Sequence, residues 1–146
     1  MDEAQARRAF ETALVTHKPD FGTFFLARLL DLDISYPDDA CVIRFPVRDF
    51  LFNPQGSLHG GIIATIMDIS MGHLLHHSFG AGGATLEMKL QYLRPVRSGT
   101  AWCRAQFLRR GKSIAFLESR LYDEADQLAV MATSTWKPAN QAEASR

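Results

Sequence analysis

The chain has 146 residues, 16 basic and 16 acidic side chains and a hydrophobic fraction of 47%. A chain of this length can bury the core of one domain, and the apolar content argues against disorder. The zero net charge removes the overall basic field that proteins use to attract nucleic acid. We therefore expect a single globular domain over residues 1–146, with a core at about 22–137 and no nucleic-acid partner.

Three features of the sequence indicate the compartment. Cys41 and Cys103 form neither a CxxC pair nor a zinc-like spacing, so we expect reduced thiols. The N-terminal residues are charged and lack the apolar region of a secretory signal. The longest apolar run, Ile62–Leu75, is too short to cross a membrane and contains Asp68. The sequence therefore predicts a cytoplasmic protein without a membrane partner.

The first half of the chain predicts a helix, a strand pair and a second helix. Apolar residues among charges indicate an amphipathic helix at about 2–17. Strands are expected at about 25–36 and 40–48, separated by the turn YPDDA, and then a loop at 48–58. The second helix should begin between 58 and 61 and end near 79, before the sequence GAGG. Its apolar residues cover most of its circumference, which is typical of an enclosed helix.

The second half of the chain predicts four strands of about ten residues each. Apolar and polar residues alternate from Leu86 to Tyr92, and turn sequences RPVRSG, RRGK and DEADQ separate the later segments. We expect an antiparallel meander followed by a polar tail, ANQAEASR. An antiparallel sheet needs an apolar cover, and only the 58–79 helix is long enough to provide it. The predicted fold is therefore α+β, a curled antiparallel sheet wrapped around a long central helix, with a sheet edge or helix flank left for a homodimer.

The start of the central helix carries two glycines. Gly60 and Gly61 lie where backbone N–H groups lack intrahelical partners and where the helix dipole is positive. Such a position can stabilise a carbonyl oxygen that becomes anionic. The alternative is that the glycines only allow close packing. Nearby His59 and Asn53 have similar alternatives, because they can orient a carbonyl or water, or serve as a helix cap and a turn former.

Asp68 is a carboxylate inside an otherwise apolar helix. Burying an ionised carboxylate without a partner is costly, so we expect Asp68 to face a ligand site or to be capped by a hydroxyl group. It follows His59 by nine residues, which places the two Cα atoms about 13 Å apart and on roughly opposite sides of the helix. Two antiparallel copies of the helix across a two-fold axis would bring Asp68 of one subunit to Gly60 and His59 of the other.

Asn53, His59-Gly60-Gly61 and Asp68, ahead of four strands, resemble the phenylacetate-pathway (PaaI-like) branch of the hot-dog-fold acyl-CoA thioesterases. The resemblance covers about residues 22–137. It implies that the Gly60 N–H polarises the thioester carbonyl and that Asp68 of the partner subunit acts as general base or nucleophile. It also implies that Asn53 and His59 position the carbonyl or the water. Thr85 stands where the family often places a hydroxyl near the carboxylate, although a β-branched residue is also favoured in any strand.

The resemblance further implies contacts to the CoA part of the substrate at the turn FLRRGKS. The residues expected there are Arg109, Arg110, Lys112 and Ser113. The alternative is a solvated hairpin tip, and Arg94 with Arg97 forms a second, less supported patch. The acyl group is expected beside an apolar set of side chains. That set comprises residues 50–52, Met67, Met71, Leu74 and Leu75.

Other chemistries have little support. His73, His76 and His77 have helical spacings that a metal could use, but no HExxH glutamate accompanies them, so we expect no metal. No GxSxG, P-loop or GxGxxG is present, and no cofactor is expected. Two rivals to an acyl-CoA thioesterase remain, a non-catalytic acyl-CoA-binding module and a hydratase or dehydratase. The enzyme is expected to act as a homodimer or as a tetramer of two dimers.

Overall fold

The computed structural model describes residues 1–139, in which three α-helices accompany one six-stranded sheet. The helices are α1 (Glu3–Thr16), α2 (Phe25–Leu29) and α3 (Gly60–Phe79), with a 3-10 helix at Asp49–Leu51. The strands are β1 (Asp33–Ser35), β2 (Cys41–Pro46), β3 (Gly83–Tyr92), β4 (Thr100–Arg109), β5 (Ala115–Tyr122) and β6 (Leu128–Pro138). The predicted polar tail lies, from residue 140 onward, outside the described residues.

The segment predicted as a first strand forms a short helix followed by a short strand. Residues 25–29 form α2, and only Asp33–Ser35 pair with β2. The sequence FLARL is rich in good helix formers, and Phe25 packs edge-on against Phe10 of α1 with ring centroids 5.7 Å apart. Packing against α1 therefore outweighs the apolar pattern that suggested a strand.

The sheet is antiparallel throughout, in the order β1-β2-β4-β5-β6-β3. The predicted meander is correct for β4, β5 and β6 but wrong for β3, which pairs with β6 from Gly83↔Pro138 to Tyr92↔Val130. The reason is the position of α3. The chain leaves the helix at one edge of the sheet, forms β3 there, and returns through residues 93–99 to place β4 beside β2.

The core lies between α3 and the sheet that curls around it. Helix α3 contacts β2, β3, β4, β5 and β6. Its fully buried side chains include Ile66, Met67, Met71, Leu74 and Leu75. Gly80 adopts φ 72°, and its N–H closes the helix by donating to the His76 carbonyl at 2.9 Å. This is the predicted hot-dog fold, an α+β arrangement of one long helix inside an antiparallel sheet.

One edge of the sheet is left open. Strand β3 pairs only with β6, and its other side has no strand partner within residues 1–139. Two of its large apolar side chains are exposed, Leu86 at 54% and Tyr92 at 53%. Within the same residues, none of the helices is long and apolar enough to cross a membrane. Both cysteines are free and buried.

Candidate active site

Two backbone hydrogen bonds hold the residues that precede α3, one from a segment before the helix in the sequence and one from a segment after it. The Leu58 N–H donates to the Val96 carbonyl at 2.8 Å, and the His59 N–H donates to the Leu51 carbonyl at 2.9 Å. The helix then begins at Gly60, within the predicted range. His59 is the N-cap, and its Nδ1 accepts the Gly61 N–H at 2.9 Å. The cap that the sequence offered as an alternative for His59 is therefore present.

The Gly60 N–H is a free donor in this first turn. The N–H groups of Gly61 and Ile63 are bound by the His59 side chain and carbonyl, whereas no acceptor within residues 1–139 takes the Gly60 N–H. Gly60 lines a cavity of about 320 Å³, together with Asn53, Ser57 and Tyr92. An unpaired N–H at the positive end of a helix dipole, beside a cavity, can stabilise a developing oxyanion.

Asn53 shapes the wall of this cavity, which we call the Gly60 cavity. Its Oδ1 accepts the Gln55 N–H at 2.9 Å, and its Nδ2 donates to Ser57 Oγ at 3.1 Å. The turn-forming interpretation of Asn53 thus describes its contacts here. Since its amide carries a second hydrogen and the residue borders the cavity, it can also donate to a bound group. Ser57 and Tyr92 were missed as site residues, because neither carries a distinctive sequence signal.

Asp68 lies in a different cavity, of about 220 Å³, which we call the Asp68 cavity. The Thr85 hydroxyl donates to Asp68 Oδ1 at 2.8 Å, while Oδ2 has no hydrogen-bond partner among the described residues. Burial raises the pKa of the Asp68 carboxyl, and the hydrogen bond from Thr85 opposes that shift. The result is a half-buried carboxylate with one oxygen held and one free.

Aromatic rings form part of the wall of the Asp68 cavity. Phe21, Phe24 and Trp136 line it together with Gly72 and His73. The predicted acyl neighbours Met67, Met71, Leu74 and Leu75 instead lie fully buried in the core. The sequence could have indicated part of this wall. Residues four positions apart on a helix share a face, and this spacing links Asp68 to Gly72 and Ile69 to His73.

The three histidines of α3 contact aromatic rings. The His73 Nδ1 is 2.8 Å from the Tyr36 hydroxyl, and burial lowers the pKa of His73. His76 stacks on Phe21 at 3.9 Å between centroids, and His77 stacks on Tyr36 at 4.1 Å. Over residues 1–139, no group of three or more His, Cys, Asp or Glu side chains is placed to hold a metal ion.

The two cavities are separate within one chain. The residues that line the Gly60 cavity and those that line the Asp68 cavity have no member in common. The fold therefore does not bring Asp68 to the Gly60 of its own helix. Any reaction that uses both groups needs a second copy of the chain.

The basic turn between β4 and β5 lies by the C-terminal end of α3. Arg110 donates to the Ser78 carbonyl at 2.5 Å, and its guanidinium lies 5.0 Å from the Phe79 ring centroid. Arg110 contacts the end of the helix and is exposed, as are Arg109, Lys112 and Ser113. A different cation, Arg94, lines the Gly60 cavity.

Comparison with known proteins identifies the family of this chain. Residues 55–130 match the family model of the thioesterase superfamily. The chain therefore belongs to the thioesterase superfamily and is a thioester hydrolase. It is 37% identical over 94 residues to acyl-coenzyme A thioesterase 13 of Homo sapiens, an alignment that covers 63% of this chain and 67% of that protein.

Two solved structures extend the comparison to nearly the whole chain. A Bacillus halodurans protein solved with CoA superposes with a TM-score of 0.86 at 22% identity, covering 96% of this chain and 95% of that one. A phenylacetic acid degradation-related protein of Ralstonia eutropha has a TM-score of 0.73 at 25% identity, covering 88% and 98%. The first likeness shows the fold, and it includes α1 and α2, which the family model does not reach.

Proposed function

We propose that this protein hydrolyses acyl-CoA thioesters to a free acid and CoA. The observation that carries the proposal is the presence in one chain of two groups, a Gly60 N–H at the start of α3 that has no acceptor within residues 1–139 and a half-buried Asp68 carboxylate held by Thr85. Membership in the thioesterase superfamily supports the reaction class. CoA as the thiol is supported by the similarity to acyl-coenzyme A thioesterase 13.

In the proposed mechanism, the thioester carbonyl oxygen accepts the Gly60 N–H. Asp68 of the partner subunit either removes a proton from water that attacks the carbonyl carbon, or attacks that carbon itself. The C–S bond then breaks, CoA leaves as a thiolate, and the acid is released directly or after hydrolysis of the acyl-enzyme. Asn53 and His59 position the carbonyl or the water, and Thr85 orients the carboxylate.

The proposed site needs a homodimer. The open edge of β3 and its exposed apolar side chains offer a surface on which a second copy can pair. Antiparallel pairing of two β3 strands would place two copies of α3 side by side, each Asp68 toward the other copy's Gly60. Two such dimers would form the proposed tetramer.

The two ends of the substrate are assigned by charge and polarity. We assign the acyl group to the Asp68 cavity, whose aromatic walls and volume of about 220 Å³ suit an aryl or medium-chain group. Arg109, Arg110, Lys112 and Ser113 are exposed and can contact CoA phosphates, and Arg94 is a second candidate. The Arg110 guanidinium also contacts the end of α3 and would support the turn.

The test is thiol release from a panel of aryl- and medium-chain acyl-CoAs by the wild-type protein and by Asp68→Ala. We expect turnover by the wild type and a loss of about a thousandfold or more in a folded variant, as for removal of an essential base or nucleophile. Tight binding of acyl-CoA without thiol release would reject the enzyme and favour the binding module. Turnover by Asp68→Ala at the wild-type rate would reject the role of Asp68.

A further inference from the structure

Tyr92 touches the first residue of α3 in two ways. Its hydroxyl donates to the Gly60 carbonyl at 2.8 Å. Its ring packs over the Gly60 Cα so closely that a Cβ at that position would lie 3.3 Å from two ring carbons. Tyr92 is the last residue of β3 and borders the Gly60 cavity, so the contact joins the open edge strand to the helix start.

The hydrogen bond from Tyr92 completes the restraint of one peptide group. The Gly60 carbonyl and the Gly61 N–H belong to the same planar unit. Its oxygen accepts the Tyr92 hydroxyl, and its N–H donates to His59 Nδ1 at 2.9 Å. Side chains from two elements therefore hold this peptide at both ends, one from β3 and one from the residue before α3.

This restraint also affects the neighbouring peptide, which carries the Gly60 N–H. The Gly60 Cα connects this peptide to the one that carries the free Gly60 N–H, and glycine is the residue whose φ and ψ are least restricted. Without an external restraint, the direction of that N–H depends on a single turn at a frayed helix end. With it, the peptide on one side of Gly60 is fixed, and the direction of the N–H on the other side is restricted.

We propose that Tyr92 is a positioning residue that aims the Gly60 N–H at the substrate carbonyl by holding the Gly60–Gly61 peptide. The proposal rests on the function proposed above. Tyr92 itself does not touch the reacting atoms. A donor in an active site stabilises the transition state only when it is oriented before the reaction, so loss of the restraint should affect the chemical step more than substrate binding.

The variant that tests this is Tyr92→Phe, which removes the hydroxyl and keeps the ring against Gly60. The matched control is Tyr122→Phe. Tyr122 stacks on Trp102 at 4.4 Å, and its hydroxyl makes no hydrogen bond within residues 1–139. For Tyr92→Phe we expect kcat to fall about tenfold, the cost of about 1.4 kcal/mol of transition-state stabilisation, with KM within about twofold of wild type. The control should retain wild-type kcat and KM.

A second measurement does not depend on turnover. Amide hydrogen exchange of Gly61, followed by NMR, should be about tenfold faster in Tyr92→Phe than in wild type or Tyr122→Phe, since the Gly61 N–H is hydrogen-bonded to His59 and the free energy of its local opening falls when the Tyr92 hydrogen bond to the same peptide is lost. The amide of Ile63, bound to the His59 carbonyl, should change less.

The outcomes separate this proposal from the proposed function. An unchanged kcat, or a lower kcat with unchanged exchange of the Gly61 amide, would overturn the positioning role. An equal loss of kcat in Tyr122→Phe would also overturn the positioning role, because the loss would then follow from removing any tyrosine hydroxyl. A wild-type protein without turnover would overturn the proposed function, while the exchange measurement would still decide whether Tyr92 restrains the peptide.

Discussion

At the scale of single residues, Gly60 offers a direct test of the proposed oxyanion donor. Gly60→Pro deletes the N–H, and proline is well tolerated at the first position of a helix. The preceding residue suits a proline, because His59 has φ −62° and ψ 132°. We expect kcat to fall about 100- to 1000-fold, the usual cost of losing one such donor.

The control for that prediction is Gly60→Ala. Alanine keeps the N–H and adds the same Cβ that proline places near the Tyr92 ring. A loss in Gly60→Ala as large as that in Gly60→Pro would show that crowding, and not the donor, matters. Circular dichroism and thermal unfolding of both variants would establish that the fold is retained.

Asp68 predicts a pH dependence. Its ionised form is the reactive one in both proposed mechanisms, so kcat/KM should rise with pH through a pKa that burial holds above the usual value of an aspartate. The Thr85 hydroxyl stabilises the ionised form. We therefore expect Thr85→Val to move the acid limb of the pH–kcat/KM profile to higher pH.

Thr135→Val is the matched control for Thr85→Val. The Thr135 hydroxyl donates to Glu87 Oε1 at 2.7 Å. This is also a threonine–carboxylate hydrogen bond, but it joins β6 to β3, and neither residue lines either cavity. Its acid limb should coincide with that of wild type. A shift of the limb to lower pH in Thr85→Val would contradict the role assigned to the hydroxyl.

At the scale of elements, local patterns predicted more than pairings did. The bounds of α3 followed from its apolar circumference, the glycines at its start and GAGG at its end. The prediction of a strand at residues 25–29 was wrong, because a short apolar run fits a strand and a helix equally well. Contact with α1 decides between the two. The predicted strand neighbour of β3 was also wrong. Its pairing with β6 joins residues that are about 40–55 positions apart along the chain.

The candidate site shows the same division. Asn53, His59, Gly60 and Asp68 were identifiable because they lie close together in the sequence. Trp136, Tyr92 and Phe21 reach the two cavities from distant segments, and the sequence alone does not reveal such contacts. Thr85 lies between these cases. It was singled out by a resemblance, and its bond to Asp68 is visible only in the structure.

Gly83, the first residue of β3, has no room for a side chain, so we expect a larger residue there to lower the free energy of unfolding. A Cβ at Gly83 would lie 2.7 Å from the Lys137 carbonyl and 3.3 Å from the Pro138 Cα, both backbone atoms of β6. Gly83→Ala should therefore destabilise the protein by about 1–3 kcal/mol, a typical cost of overpacking, as measured by urea unfolding. Gly22→Ala is the control, since its Cβ would meet only Asp20 Oδ1 at 3.8 Å. Equal stabilities of the two variants would contradict the argument.

At the scale of the whole molecule, the separation of the two cavities predicts complementation between inactive subunits. In a mixed dimer of Asp68→Asn and Gly60→Pro chains, one of the two sites combines an intact Gly60 with an intact Asp68. Random exchange of subunits makes half of the dimers mixed, so a refolded equimolar mixture should recover about a quarter of wild-type activity. Thiol release by the mixture, compared with each variant alone, measures this. A mixture as inactive as its parts would contradict a shared site.

The aromatic wall of the Asp68 cavity has a consequence for how such enzymes diverge. Phe21 and Phe24 come from the segment that links α1 to α2, upstream of the family match at 55–130, whereas Asp68 and Gly60 lie inside that match. Two rings of the wall are thus encoded upstream of the stretch that encodes Asp68 and Gly60, while Gly72 and His73 of the same wall lie within that stretch. Under the proposed function, substitutions at Phe21 and Phe24 would change which acyl groups are accepted without altering the proposed reacting groups.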